Sequence, residues 1–415
     1  MHITQSLIAI YIQDLIVNSS TKFRSLGHRY TDKNMVKMST KKETMINKIH
    51  KNLLKEVKVL SDNEYDCLVS SCDFLKTKQL LNDRKIPYTA YPFISNFYIK
   101  TNYANILNLS EENDVSFLSS PTKVSTQILN AKSTINFDKL TNGKLYGQGV
   151  TICFIDTGIY PHIDFMIPKC RIKKFVDLTK SSQSMYDDNG HGTFVASVCC
   201  SSGKRKGGKY SGIAPLADIV MIKALDKNGE TNSNKILEAM QYVFDHAKEL
   251  DIKVVCMSFG ADSIGKNDPL QKGANALWDK GITVVVAAGN SGPNNATIKS
   301  PGTSEKVITV GGLDSTDQKH LAVAEFSSRG PVKEKFKPDL IAPSVNIIGA
   351  NISSNEPYIK LSGTSVATPI IAGVCAVILE QHPDWSPNQI KYYLVNHCTH
   401  LSYDKNSEGF GYLQF

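Results

Sequence analysis

The chain has 415 residues, a formal net charge of +8 and a hydrophobic content of 41%. That is more than one small domain needs, and it suits a globular protein with a sizeable core. Residues 1–50 carry eight basic against three acidic side chains, so five of the eight net positive charges lie there; the nearly balanced remainder argues against a basic nucleic-acid groove. Residues 1–53 read as a basic, poorly ordered leader. Residues 54–120 read as a compact α+β module. Its expected elements are strands at Val57–Leu60 and Phe93–Ile99, a helix over Asp62–Leu81, a short helix at Asn105–Leu109 and a strand at Val115–Leu118. Ser119, Ser120, Pro121 and Thr122 then break the pattern. Residues 121–146 are expected to be a linker and lead-in. Over 147–415, strand and helix patterns alternate. Val150–Ile155 is a near-continuous apolar run, as a strand buried on both faces requires. Further strands are expected at Asp218–Ala224, Val254–Phe259, Ile282–Ala288 and Val307–Val310. Helices are expected at His191–Cys200, Ser233–Leu250, Pro269–Lys280, Ser365–Gln381 and Ser386–Asn396. The fold class is therefore α/β, a mostly parallel sheet with helices on both faces, preceded by a small α+β module. Ligands of such sheets sit at the carboxyl ends of the strands.

The nine cysteines are an odd number without metal-ligand spacing. Cys153, Cys256 and Cys375 lie in apolar runs and Cys199–Cys200 is vicinal, which fits buried free thiols in a reducing compartment. No apolar run stands out as long enough to span a membrane. Leu7–Ile12 lacks a preceding basic region and is cut by Gln13 and Asp14, a poor match to a signal peptide. The expectation is a cytoplasmic protein with neither a nucleic-acid nor a membrane partner. A misplaced start, with Met35, Met38 and Met45 downstream, would instead allow a secreted or cell-surface one.

Four residues at element edges could do chemistry together. Asp156 follows an apolar strand and precedes Thr157-Gly158. His191 stands in Asn189-Gly-His-Gly-Thr193 before an apolar helix. Asn290 ends Val284-Val-Val-Ala-Ala-Gly-Asn290. Ser365 lies in Gly363-Thr-Ser-Val-Ala-Thr-Pro369, where a polar turn enters a helix. Alone, Asp156, Asn290 and Ser365 each read more readily as a turn residue or a helix cap, and His191 reads equally well as a histidine that simply starts a helix. Together they supply a nucleophile, a base, a carboxylate to orient the base and a donor for an oxyanion. An α/β esterase is disfavoured, because that class carries Gly-x-Ser-x-Gly in the order Ser, Asp, His.

On these four motifs, in this order, the chain resembles the subtilisin-like serine proteases. Phe326-Ser-Ser-Arg-Gly-Pro331 and Lys337-Pro-Asp-Leu-Ile-Ala-Pro343 are similar to further family segments, and the resemblance covers about 147–411. Residues 54–120 resemble the family's inhibitory propeptide more weakly. Asp187-Asp-Asn-Gly-His-Gly and Tyr210-Ser-Gly-Ile-Ala-Pro215 are most similar to bacterial forms lacking a signal peptide. The resemblance implies Ser365 as nucleophile, His191 as general base, Asp156 as orienting carboxylate and Asn290 as oxyanion-hole donor. It implies a serine endopeptidase made as a self-processed zymogen, cut roughly between Leu118 and Gln127. Its partners would be a peptide or protein substrate and its own propeptide. Ser258, Phe259 and Gly260 would pair with extended substrate, and the turn after Leu225, around Gly229, would flank it. Ala287, Ala288 and Gly289 would line a primary pocket with room for a large apolar side chain. The chemistry implies no cofactor and no metal. A structural calcium ion is compatible with the family, but Ser201–Lys209 is basic and has no carboxylate, so the usual loop site is expected to be absent. Phe194, Val366 and Ser344 depart from the common pattern. The alternative is a catalytically silent relative that acts by binding or signalling.

Overall fold

The computed structural model describes residues 48–50, 53, 63–121, 123–126, 129–131, 136, 137, 140, 144–208, 210–317 and 320–415. The side chains of 123–126 and 129–131 are outside the description. Contacts divide the chain into two compact units, residues 1–90 with 95–120, and residues 91–94 with 121–415.

The first unit is built on a four-stranded sheet in the order β2 (Tyr88–Tyr91), β3 (Asn96–Asn102), β1 (Glu64–Ser71), β4 (Val115–Ser119). β1 is antiparallel to both of its neighbours. Helices α1 (Phe74–Asp83) and α2 (Tyr103–Ser110) complete it. Cys67, Val69, Leu81, Phe97, Ile99, Ile106 and Leu118 form the core, and Phe74 stacks on Phe97 at 4.7 Å. Two expectations are corrected here. The helix expected over Asp62–Leu81 is a strand followed by a helix. Cys67, Leu68 and Val69 are buried in the central strand, and cross-strand pairing on both sides outweighs any local helical tendency. Asp73 then starts α1 by accepting from Lys76 N. The strand expected from Phe93 begins at Asn96, because Pro92–Ile94 is a 3₁₀ turn and Ser95 has φ +52°. The strand expected at Val57–Leu60 lies outside the described residues.

The second unit holds a ten-stranded sheet. Its path is β8 (Ile172–Asp177), β9 (Asp218–Lys223), β7 (Thr151–Asp156), β11 (Ile252–Met257), β13 (Thr283–Ala287), β14 (Ile308–Asp314), β16 (Leu340–Pro343), β20 (Tyr412–Leu413) and β19 (Cys398–Thr399). β15 (Ala322–Val323) pairs with β14 off this path. The pairs from β8 through β20 are parallel, and those of β15 and β19 antiparallel. All six residues of β7 are buried, as a strand covered on both faces requires. Among the described residues the helices of this unit are the short α3 (Ile163–Met166), then α4 (His191–Cys200), α5 (Ser233–His246), α6 (Pro269–Asp279), α7 (Thr364–Gln381), α8 (Pro387–Asn396) and the short α9 (Lys405–Glu408). α4 packs on α7, and α5 packs on α6. Caps end-stop several of them. Asp268 and Pro269 open α6, and a Ser386–Gln389 capping box opens α8.

β7 is followed in the chain by β8 and β9 on one side and by β11 on the other, so the connections diverge at its carboxyl end. Such a switch point leaves a crevice. α7 corrects one expectation, because by length and composition it could cross a membrane. It is 89% buried within the protein, so its apolar surface is core-facing. Two smaller sheets lie beside the large one. β5 (Lys123–Thr126) is the middle strand between β10 (Glu230–Asn232) and β12 (Phe259–Gly260). β6 (Leu129–Ala131) adds to β18 (Tyr358–Ser362), which pairs with β17 (Ile347–Ala350).

Candidate active site

Asp156 ends β7 and His191 begins α4. Their side chains are 1% exposed, and His191 Nδ1 lies 2.8 Å from Asp156 Oδ1. Thr157 N donates to the same oxygen at 2.7 Å. A carboxylate on Nδ1 fixes the proton there and leaves the lone pair on Nε2. Nε2 is buried and has no hydrogen-bond partner among the described residues. The close approach of α4 to β7 depends on Gly192. A Cβ there would lie 2.2 Å from Gly158 O and 3.1 Å from Asp156 Oδ1.

A second carboxylate holds this corner together. Asp187 Oδ1 accepts from Thr157 Oγ1, Asn189 N and Gly190 N at 2.8–3.1 Å. Its Oδ2 accepts from Thr193 N at 2.9 Å and Thr193 Oγ1 at 2.7 Å. Thr157 Oγ1 in turn accepts from Gly192 N, and Thr193 Oγ1 from Tyr160 N, both at 2.8 Å. Asp187 therefore ties the turn after Asp156 to the first turn of α4. Its neighbour Asp188 meets Lys223 Nζ at 2.7 Å and Lys180 Nζ at 2.9 Å. Partial burial alone would raise the Asp188 pKa, but hydrogen bonds from those two ammonium groups bring it below the ordinary carboxylate value. The fully buried Lys223 also donates to Thr157 O and Leu225 O. The sequence contained the signal for Asp187, an acid four residues before His191. Its structural duty is non-local and was not legible there.

Ser365 is the second residue of α7 and is 1% exposed. The cap position belongs to Gly363, without a side-chain cap bond, so Ser365 is not an ordinary helix cap. Thr364 links the serine's turn to Asn290. Asn290 Oδ1 accepts from Thr364 N at 2.9 Å and Thr364 Oγ1 at 3.0 Å, and Thr364 Oγ1 accepts from Gly289 N at 3.1 Å. This settles which side of the Asn290 amide accepts and leaves its NH₂ as the donor. Backbone N–H groups at the start of α7 add the positive end of an 18-residue helix.

Ser258 is buried between β11 and β12. Phe259 and Gly260 form β12, where Phe259 opposes Thr126 and Gly260 opposes Ser125 of β5. The other side of β5 is covered by β10, which directly follows the turn at Gly229, with Glu230 opposite Ser125. That turn is closed by Asp226 N donating to Glu230 O, with Gly229 at φ +74°. Leu225 is buried and its N–H donates to Asp156 O at 3.2 Å. Ala287 ends β13, and Ala288 and Gly289 follow it, all at the sheet's carboxyl edge. Phe194 and Val366 lie in one apolar cluster with Val198, Ile347 and Ile370. Ser344 is accommodated, its Oγ donating to Leu313 O at 3.0 Å.

A parallel sheet with an aspartate–histidine pair at a strand switch point, and a serine opening the central helix, defines a subtilase. The Subtilase family (Peptidase_S8) model matches residues 147–412, and the chain belongs to that family. Among curated proteins it is 42% identical over 279 residues to the serine protease AprX of Bacillus subtilis, covering 61% of this chain and 62% of that relative. It is 31% identical to a thermostable alkaline protease of Halalkalibacterium halodurans, covering 65% of this chain and 67% of that protein. The chain thus matches about three fifths of the length of AprX. Among solved structures, fervidolysin from Fervidobacterium pennivorans matches with a TM-score of 0.68 over 88% of this chain and 61% of that one, at 19% identity.

Proposed function

We propose that the protein is a serine endopeptidase acting through an acyl-enzyme. Ser365 Oγ attacks the scissile carbonyl carbon while His191 Nε2 takes the hydroxyl proton. The carbonyl oxygen becomes an oxyanion that receives hydrogen bonds from Asn290 Nδ2 and Ser365 N–H. Collapse breaks the C–N bond, and His191 returns its proton to the leaving amine. Water then repeats the sequence on the acyl ester. The observation that carries this reading is the buried 2.8 Å Asp156–His191 contact, with an unpartnered Nε2 beside it. Extended substrate would take the place of β5 between β10 and β12, gaining main-chain hydrogen bonds on both sides.

The same reading makes the protein a zymogen. Residues 1–53 form a leader, 54–120 an inhibitory propeptide and 147–415 the catalytic domain. The linker 121–146 is opened by self-cleavage roughly between Leu118 and Gln127 (Gln127 lies outside the described residues). The chemistry uses no metal or cofactor, and the compartment is cytoplasmic. The test is a fluorophosphonate label on purified protein. Label on the wild type and none on Ser365→Ala is expected, with the variant remaining an uncut precursor. The expected loss in kcat is about 10⁶-fold, the size of the same deletion in subtilisin. Normal maturation of Ser365→Ala would rule out self-processing.

A further inference from the structure

A lysine side chain lies between the segment expected to line the primary pocket and the strand expected to pair with substrate. This inference rests on the endopeptidase reading above and names the substrate class for it. A Cβ built on Gly260 would lie 2.5 Å from Lys299 Cβ and 3.1 Å from its Cγ. One built on Gly289 would lie 2.5 Å from Lys299 Cγ and 3.3 Å from its Cβ. Gly289 belongs to the segment expected to line the pocket and Gly260 to the strand expected to pair with substrate, so the lysine stem runs between those two segments. Its backbone is anchored on both sides. Lys299 N donates to Ala288 O at 2.9 Å, and Ser300 exchanges two hydrogen bonds with Ala261 at 2.8 and 3.0 Å. The side chain is 20% exposed, and Nζ reaches Asp262 Oδ1 at 2.6 Å.

We propose that Lys299 is a specificity-determining residue that makes this enzyme favour an acidic side chain, glutamate or aspartate, immediately before the cleaved bond. A large apolar side chain would have to share the slot with the lysine stem and strip water from an ammonium group, at a penalty nothing in the slot offsets. An acidic side chain meets that ammonium as a partner. Asp262 does not pre-empt it. Its side chain is 86% exposed, and an ion pair with so exposed a partner is weak and exchangeable. A carboxylate delivered by bound substrate is held in place by the main-chain pairing with β12 and β10, so it competes with the advantage of proximity. The small residues Ala287, Ala288 and Gly289 then make room for the lysine together with a modest acidic side chain.

The experiment uses the matured full chain and matched peptides that differ only in the residue before the cleaved bond: Glu, Gln, Ala, Leu and Phe. Wild type is expected to favour Glu over Gln by roughly 10- to 100-fold in kcat/KM, the range of a hydrogen bond to a charged group. The ratio should shrink as salt rises. Lys299→Met keeps the stem without the charge and should erase the Glu preference without gaining Phe. Lys299→Gly opens the slot and should make Leu and Phe the preferred residues. Asp262→Asn removes the competing carboxylate and should widen the Glu preference. A wild-type profile led by Leu or Phe, or a Glu-to-Gln ratio unchanged in Lys299→Met, overturns the assignment of Lys299 while leaving the peptidase reading intact. No hydrolysis of any peptide by a protein whose Ser365 also resists the fluorophosphonate overturns both.

Discussion

Two buried carboxylates in the second unit solve the same problem in opposite ways. Asp187, at the corner of Asp156 and His191, accepts five hydrogen bonds from backbone N–H groups and threonine hydroxyls, with no cation among these donors. Asp339, just before β16, is met by two ammonium groups. Lys337 Nζ lies 2.6 Å from its Oδ2 and Lys391 Nζ 2.8 Å from its Oδ1, and Thr309 N donates as well. Neutral donors set distance and direction without placing a second counter-charge beside the imidazole. Ammonium groups bind more strongly but must themselves be taken out of water. The first arrangement suits a site whose geometry must be kept within fractions of an ångström. The second suits a joint between chain segments.

The largest expected effect lies at the ion-paired joint. Asp339→Ala leaves Lys337, which is 3% exposed, and Lys391, which is 18% exposed, without their carboxylate. A loss of about 3–5 kcal/mol in unfolding free energy is expected by urea titration. The kcat of the remaining folded enzyme should be unchanged. A fall in kcat at normal stability would remove the contrast between the two carboxylates.

Asp187→Ala should behave in the reverse sense. Releasing the Asp156 turn from α4 would misplace His191, the proposed base, and a displacement near 1 Å costs about 100-fold in kcat/KM. Asp187→Asn keeps an oxygen for Thr157, Asn189 and Gly190 and loses the acceptor for Thr193, so an intermediate rate is expected. Equal loss in both variants would mean that the charge matters and the hydrogen-bond geometry does not.

A smaller effect appears in the pH dependence of stability. Burial pushes the Lys337 ammonium down to about 8 from 10.5, although Asp339 beside it works in the other direction. Between those values the unfolded chain holds a proton at this residue that the folded chain has released. Stability therefore rises with pH across that window from this group. The urea midpoint of wild type should climb relative to Lys337→Met between pH 8 and pH 10. A flat difference would show that the ammonium carries no burial penalty.

How far these features could be read from the sequence depends on how local they are. Asp156, His191, Asn290 and Ser365 are visible because each sits in a short glycine-bearing motif at an element edge, and element edges leave local marks. α4 has its expected limits, since a run so uniformly apolar between Gly190 and Ser201 has few alternatives. β1 is a strand where a helix is expected, because its helix-like spacing is local while its pairing with β3 and β4 reaches residues 26–51 positions away. β5 leaves no mark in the sequence for the same reason, four unremarkable residues ordered by two distant strands. The setting of Lys299 is not legible at all. It depends on Gly260 and Gly289, which only the fold brings beside it.

A third carboxylate extends the comparison to the loop after α4, and here the expected effect is none. Asp164 is fully buried. Its Oδ1 accepts from Arg205 N at 3.0 Å, and its Oδ2 from Ser201 Oγ at 3.0 Å and Tyr358 Oη at 2.6 Å. Like Asp187 it is held largely by neutral donors, and these come from the loop itself and from β18. Calcium needs several oxygen ligands, usually including carboxylates. The segment 201–209 instead contributes Lys204, Arg205, Lys206 and Lys209. The loop is therefore expected to keep its place by hydrogen bonds to Asp164, and a chelator should leave the melting temperature and the rate of autolysis within error. Tyr358→Phe, which removes the shortest of these bonds, should lower the melting temperature by a few degrees, about 1 kcal/mol. A chelator-induced drop larger than that of Tyr358→Phe would instead place a structural cation in this protein, and the neutral-donor account would then hold for Asp187 alone.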